Sequence, residues 1–221
     1  MTVDEIVRRV AERSRRLASG LPVATPPIGS DFSLNAAGAM PEVWRPASVL
    51  VPLIRRDAGI TVLLTQRTED MPSHAGQIAF PGGRRQAEDI DATATALRET
   101  EEEVGLSLSP GAVLGLLDDF PTRSGFRMTP VVVWGGEGDR PRANPDEVER
   151  VHVVPLGELR KPEVPVLRMI PESDRPILSI PMLGTLIHSP TAAILYQLRE
   201  VVLAARHTRV AHYEQPLFAW K

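Results

Sequence analysis

The segment Ala92–Val104 constrains the fold most strongly, because it is rich in charge and yet carries the boundary signals of a helix. Asp91 stands before it, where a carboxylate can accept hydrogen bonds from the first free amides of a helix. Gly105 stands after it, where a glycine commonly ends a helix. The sequence therefore predicts one α-helix between these two residues.

The two sides of this helix differ in chemistry. At 100° per residue, three glutamates fall within about 100° of one another, and three less polar residues cluster roughly opposite. The acidic side holds Glu99, Glu102 and Glu103, and the packing side holds Leu97, Thr100 and Val104. Like charges at this spacing repel, and a hard divalent cation would compensate them. The alternative is an ordinary solvated acidic face.

Apolar runs on both sides of this helix predict a mixed α and β chain. Ala47–Ile54 and Ile60–Leu64 flank a turn-like break and predict a hairpin. The other predicted strands are Val113–Leu117, Pro130–Trp134 and Val151–Val154, and the other predicted helices are Val3–Leu17 and Thr191–Ala205. Prolines and glycines recur in residues 21–45, which predicts a connector, so we expect an N-terminal arm over residues 1–45 and the main domain over 46–221.

Composition excludes several classes of protein. The chain has no cysteine, so a metal must rest on oxygen or imidazole ligands. Its net charge of −3 argues against nucleic acid as a partner. No run of about 18 apolar residues and no leader-like segment stands out, so we expect no membrane partner and a cytoplasmic location.

The run Arg98–Leu106 resembles the second half of the box that marks Nudix hydrolases, with Thr100 replacing an apolar residue. The resemblance implies an α/β/α sandwich with a mixed β-sheet, in which the box forms a loop, a helix and a loop. It also implies metal-dependent hydrolysis of a diphosphate linkage. Gly83 lies one residue farther from Arg98 than is common, so the usual glutamate of the first half corresponds to Glu88, to Asp89 or to neither.

A second resemblance narrows the family to its coenzyme A diphosphatase branch, in which a longer spacing between glycine and arginine is familiar. Leu63–Arg67 and Ser73–Gly83 are similar to the signature of that branch, with Thr68 and Pro72 departing from it. The expected reaction is hydrolysis of coenzyme A, or of a derivative, to 3′,5′-ADP and 4′-phosphopantetheine.

Roles follow from these resemblances by position. Glu99 and Glu103 are expected to bind Mg²⁺ or Mn²⁺, and Glu102 to bind a further ion or act as the base. The carbonyl of Gly82 or Gly83 would complete the shell of the metal. Arg98 would orient a glutamate through a charge-assisted hydrogen bond.

Five further residues are weaker candidates, each with a plainer reading. Arg67 and Arg84 could neutralise substrate phosphates, or be surface arginines. His74 could contact substrate, or satisfy its own loop. Phe126 could stack on adenine, or pack as a core aromatic. Glu147 could be a distal catalytic glutamate, or part of an acidic loop.

Two other functions stay open, together with a homodimer. A Nudix diphosphatase acting on ADP-ribose or another nucleoside diphosphate derivative would share the box but be indifferent to a 3′-phosphate. A noncatalytic Nudix module that binds a nucleotide as a regulator usually lacks the intact carboxylates that this chain retains. A coenzyme A diphosphatase and any other Nudix diphosphatase would both act on a small-molecule substrate.

Overall fold

The computed structural model of the protein describes residues 2–19, 43–57, 59–70, 74–136 and 140–220. Its α-helices are α1 (Val3–Ser19), α2 (Ala92–Val104) and α3 (Thr191–Leu198), and α3 continues into a wider turn over Arg199–Leu203. Short 3₁₀ segments cover Pro110–Ala112, Leu156–Arg160 and Leu217–Trp220. The strands are β1 (Arg45–Arg56), β2 (Gly59–Arg67), β3 (Ile78–Ala79), β4 (Gly82–Arg84), β5 (Val113–Leu116), β6 (Phe120–Pro121), β7 (Phe126–Trp134), β8 (Val148–Pro155), β9 (Val166–Ile170), β10 (Ser173–Met182) and β11 (Thr185–His188).

The chain forms two compact units. The terminal unit contains residues 1–45, 116–129 and 159–221, and the central unit contains residues 46–115 and 130–158. Most of the expected connector lies outside the described residues. The division of the chain after residue 45 stays a prediction.

The main sheet has the strand order β3-β2-β1-β7-β5, with β4 beside β1 and β8 beside β2. β1 and β2 form the expected antiparallel hairpin. The chain that continues from β7 runs parallel to β1. Gly135 N donates to Leu53 O at 2.9 Å, and Arg55 N donates to Gly136 O at 3.1 Å. The sheet is therefore mixed, and the expected α/β class is confirmed.

Helix α2 packs against the central unit through its last turn. Val104 belongs to a core with Ile54, Leu63 and Leu106 in which each side chain is almost completely buried. Burial of side chains of this size stabilises the fold by about 1.5–3 kcal/mol each. The expected helix boundaries are confirmed, since Ala94 N donates to the Asp91 carboxylate at 2.8 Å and Gly105 has φ 65°.

The terminal unit differs from expectation in two places. Strands β9, β10 and β11 form an antiparallel sheet that hydrophobic periodicity did not predict. Every residue of β9 except Ile170 is exposed, so that strand lacks the alternation that marks a half-buried strand. The predicted helix Thr191–Ala205 loses its α-helical pattern after Leu198. In the described ranges, no helix is long and apolar enough to cross a membrane.

Buried charge holds the terminal unit together. α1 buries Ile6 and Val10, as its periodicity predicted, but it also buries Arg13 completely. Arg13 donates to one oxygen of Asp118 at 2.6 Å, and Arg209 donates to the other oxygen at 2.7 Å. A buried carboxylate with two arginine partners joins three distant parts of the sequence.

Replacing Asp118 with Ala should therefore lower the free energy of unfolding by about 3–5 kcal/mol, because the buried Arg13 and Arg209 would both lose the carboxylate that accepts their hydrogen bonds. Asp119→Ala is the matched control, since Asp119 is partly exposed and pairs with Arg127 at 3.4 Å near the surface. That control should cost about 1 kcal/mol. Urea unfolding measures both, and equal losses would contradict the assigned role of Asp118.

Candidate active site

The site begins with a fork between a loop and a helix. Arg98 Nε donates to one oxygen of Asp89 at 3.1 Å, and Arg98 Nη2 donates to the other at 3.0 Å. Thr95 Oγ and Gln86 N also donate to Asp89, at 3.0 and 2.9 Å. These four hydrogen bonds fix the loop before α2 against the first turns of that helix.

The fork resolves an alternative that the sequence left open. Asp89 is buried and contacts Arg98, whereas Glu88 is exposed. The Arg98 guanidinium holds the pKa of Asp89 well below its ordinary range, and Asp89 in turn raises the pKa of Arg98. Arg85 braces the same loop by donating to the carbonyl oxygens of Asp89 and Ile90.

Arg98 also holds the glutamates that follow it. Its Nη2 lies 2.9 Å from Glu99 Oε1, and its Nη1 lies 2.9 Å from Glu102 Oε2. Arg98 therefore contacts two glutamates of its own helix, and its expected role of orienting a glutamate stays a prediction. One guanidinium bridges Asp89, Glu99 and Glu102.

The expected packing side of α2 requires correction. Thr100 and Val104 are buried as predicted, but Leu97 is only half-buried, and the acidic Glu103 is only 4% exposed. The glutamate side of the helix faces strand β4, in which two of the three residues are glycine. Glu103 accepts a hydrogen bond from Gly82 N at 3.2 Å, which an apolar packing side would leave unmade.

Two of the three residues of this strand are glycines with very close neighbours. A Cβ on Gly83 would lie 2.5 Å from a carboxylate oxygen of Glu99, and a Cβ on Gly82 would lie 2.3 Å from Ser48 O. Real Cβ atoms essentially never make nonbonded contacts this short. The backbone of β4 therefore approaches the Glu99 and Glu103 carboxylates directly, which is where the expected ligand Gly83 lies.

Burial raises the pKa of two of these glutamates. It raises the pKa of Glu103 to about 7, and the charges of Glu99 and Glu147 add to that rise. Burial also raises the pKa of Glu99, although Arg98 opposes the shift. Glu102 is exposed on the same side of the helix.

Two candidates from other elements join these carboxylates. Arg67, the last residue of β2, has Nη1 3.9 Å from Glu103 Oε1. Glu147 lies close enough for its charge to raise the pKa of both Glu99 and Glu103. The structure thus brings Arg67 and Glu147 to the glutamates of α2, although each lies far from them in the sequence.

Three other candidates have described contacts elsewhere in the structure. His74 contacts Gln77 in its own exposed turn, with 3.1 Å between ring nitrogen and amide oxygen. Arg84 O accepts from Arg98, but the Arg84 side chain is exposed. Phe126 belongs to the terminal unit, where the Arg45 guanidinium lies 3.9 Å from its ring centroid. Pro72 lies outside the described residues.

One positional residue was missed by the sequence analysis. Asn144 N donates to Glu103 O at 2.8 Å, so the loop before β8 is hydrogen-bonded to the last turn of helix α2. The signal that could have found it is the pair Asn144-Pro145, which is typical of a tight turn.

The donor set suits a hard divalent cation. Its oxygen atoms come from carboxylates and from the glycine backbone, and Mg²⁺ and Mn²⁺ prefer such ligands. A cation would favour the charged form of the two carboxylates whose pKa burial raises. Among the described residues, no group of three acidic or histidine side chains is arranged as a metal site. Arg98 contacts both Glu99 and Glu102.

Comparison with known proteins identifies the family. The family model of the NUDIX domain matches residues 44–176, which is more than half of the chain. The protein therefore belongs to the Nudix family. The matched range contains β1, the glycine strand β4, helix α2 and Glu147.

Curated relatives are similar over about half of the chain. An uncharacterized Nudix hydrolase, NudL of Pectobacterium atrosepticum, is 44% identical over 114 residues, covering 52% of this chain and 59% of that relative. The peroxisomal coenzyme A diphosphatase NUDT7 of Mus musculus is 38% identical over 128 residues, covering 58% of this chain and 54% of that relative. The chain therefore covers less than two thirds of the length of these relatives.

Solved structures give a more distant match. A Nudix hydrolase from M. smegmatis, RenU, has a TM-score of 0.49 and 18% identity, and the match covers 75% of this chain and 89% of that chain. A MutT/nudix family protein from Enterococcus faecalis also has a TM-score of 0.49 and 18% identity, covering 88% of this chain and 74% of that chain.

The raised pKa of Glu103 predicts a pH-dependent stability of the metal-free protein. Between the ordinary pKa of 4.5 and the folded value of about 7, the folded state holds a proton that the unfolded state has released. Stability should therefore fall as pH rises through this window, by about 3 kcal/mol from Glu103 alone. The Glu103→Gln variant has no carboxyl group to titrate at this position, so its free energy of unfolding should fall less over the same pH range.

Urea unfolding of both proteins in chelator, at about pH 5 and about pH 8, measures the difference. Comparison with the Gln variant cancels the contributions of other titrating groups. Parallel losses in the two proteins would show that Glu103 titrates normally.

Proposed function

We propose that the protein hydrolyses the diphosphate linkage of coenzyme A or its derivatives, with Mg²⁺ or Mn²⁺, giving 3′,5′-ADP and 4′-phosphopantetheine. The observation that carries the proposal is the buried Glu103, whose nearest described cation, Arg67, is 3.9 Å away, together with Glu99 and Glu102 on the same helix. A homodimer and a cytoplasmic location, both expected from the sequence, stay predictions.

Two features support coenzyme A within the family. The relative named as a coenzyme A diphosphatase is 38% identical over 128 residues. Arg67, the last residue of the stretch that resembles the branch signature, lies beside Glu103 with 3.9 Å between the charged atoms. A cation at that position can serve the substrate as well as the glutamate.

We infer that Glu99, Glu102, Glu103 and the Gly83 carbonyl hold the metal. When bound, the ion supplies an activated water and neutralises charge that develops on the phosphoryl oxygens. Arg98 contacts Glu99 and Glu102 and would orient them toward the ion, while its two hydrogen bonds to Asp89 hold the guanidinium in place. Glu147 or Glu102 accepts the proton of the attacking water as general base.

Arg67 is the proposed cation for the extra phosphate of coenzyme A. A 3′-phosphate buried without a partner would cost several kcal/mol, so a selective enzyme needs a positive side chain for it. Arg84 is a second candidate, because it is the last residue of β4, next to Gly83, and its side chain is exposed. We assign His74 and Phe126 to substrate binding from the sequence alone.

The reaction itself is tested with purified protein and a panel containing coenzyme A, dephospho-coenzyme A and ADP-ribose. Coenzyme A turnover should vanish in chelator and return with Mg²⁺ or Mn²⁺, since the proposed ligands are hard oxygen atoms. Product analysis should show 3′,5′-ADP. Full turnover in chelator would refute the mechanism, and a preference for ADP-ribose would move the assignment to another Nudix diphosphatase.

Arg67→Ala tests the substrate assignment. It should reduce kcat/KM for coenzyme A at least tenfold more than for dephospho-coenzyme A, because only the former has the 3′-phosphate. Arg56→Ala, which removes an arginine from the end of β1, is the matched control and should change neither value. An equal loss on both substrates would mean that Arg67 acts through Glu103 and not through the 3′-phosphate.

A further inference from the structure

We propose that Asn144 is a positioning residue that sets Glu147 against the glutamates of α2, by tying one turn to both the end of that helix and the start of β8. The inference rests on the proposed hydrolysis, in which Glu147 is a candidate base. It assigns a function to a side chain that lies outside the box.

The end of α2 leaves four carbonyl groups that the helix itself cannot satisfy. Gly105 N donates to Glu101 O at 2.9 Å, which is the ordinary closure of a left-handed cap. The remaining three carbonyls bond to the loop before β8. Asn144 Nδ2 donates to Glu102 O at 3.4 Å, Asn144 N donates to Glu103 O at 2.8 Å, and Arg142 N donates to Val104 O at 2.8 Å.

The same asparagine organises the turn that follows it. Its carbonyl oxygen accepts from Glu147 N at 3.1 Å and from Val148 N at 2.8 Å. Its side-chain oxygen accepts from Asp146 N at 3.2 Å, and Pro145 occupies the next position of the turn. Asparagine followed by proline is the preferred opening of such a turn.

The turn fixes the position of the Glu147 backbone. Glu147 O accepts from Thr68 N at 3.2 Å, directly after Arg67, and β8 begins at the next residue, Val148. Glu147 is thereby held between the end of β2 and the end of α2. The Glu147 backbone is thus bonded to Thr68 on one side and, through Asn144, to the end of α2 on the other.

The side chain of Asn144 is what makes the arrangement specific. Arg142 caps the helix with its backbone alone, and most residues could do the same. Asn144 uses its amide nitrogen toward Glu102 O and its amide oxygen toward Asp146 N. Alanine would remove both bonds, and the position of Glu147 relative to α2 would then depend on backbone contacts only.

The test is a double-mutant cycle on diphosphate turnover with Asn144→Ala and Glu147→Ala, separately and together, in the full chain. Asn144→Ala should lower kcat by roughly tenfold or more while KM changes little, as is common when a supporting contact to an active group is lost. In the Glu147→Ala background the same substitution should have almost no further effect, because it acts through Glu147. Arg142→Ala is the matched control and should leave kcat unchanged.

Further variants keep the test decisive. Asn144→Ser retains a side-chain acceptor for Asp146 N and should recover part of the lost kcat. If Asn144→Ala fails to fold, the cycle is run with Asn144→Ser. Losses of kcat that add in the double mutant would show a general structural role and overturn the inference, as would a Glu147→Ala protein of normal kcat. A wild-type protein that cleaves no diphosphate would instead refute the proposed function.

Discussion

The central unit depends on the ion pair between Arg98 and Asp89. An arginine on a helix ordinarily moves with whichever carboxylate lies nearest, and Arg98 has two such neighbours in Glu99 and Glu102. The buried fork to Asp89 gives it a fixed position that does not depend on those neighbours. The loop, the first turns of α2 and the side chains that face the glycine strand are consequently held in one arrangement, whatever the glutamates bind.

The buried carboxylates of this chain fall into two kinds. Asp118 has two arginine partners, and hydrogen bonds from Arg123 and Arg175 outweigh the burial of Glu214 and lower its pKa to about 2. Glu103 is equally buried, yet its nearest described cation is 3.9 Å away and its pKa rises to about 7. A buried carboxylate with arginine partners is costly to disrupt, whereas one without a close partner is costly to bury and is typical of a functional site. That contrast separates the site from the structural ion pairs of the terminal unit.

Local signals in the sequence predicted the helix and the hairpin well. The boundaries of α2 were predictable because Asp91 and Gly105 act through their immediate neighbours. The burial of Glu103 was not, because it depends on the glycines of β4, which periodicity on the helix cannot register. The choice of Asp89 over Glu88 likewise depends on which side chain turns inward. Strand β9 was missed because its side chains are exposed on both faces.

The remaining difficulty for such a site is to keep several acidic groups together when no cation is bound. Carboxylates on one helix are held by the helix backbone, but Glu147 comes from a separate loop and is repelled by the charges it approaches. Backbone bonds to Asn144 and Thr68 oppose that repulsion from two sides. Because the anchoring groups are the unsatisfied carbonyls of α2 itself, any shift of the helix end carries the loop with it. The hydrogen bonds that complete the helix therefore also keep Glu147 at a nearly constant distance from the glutamates of the helix.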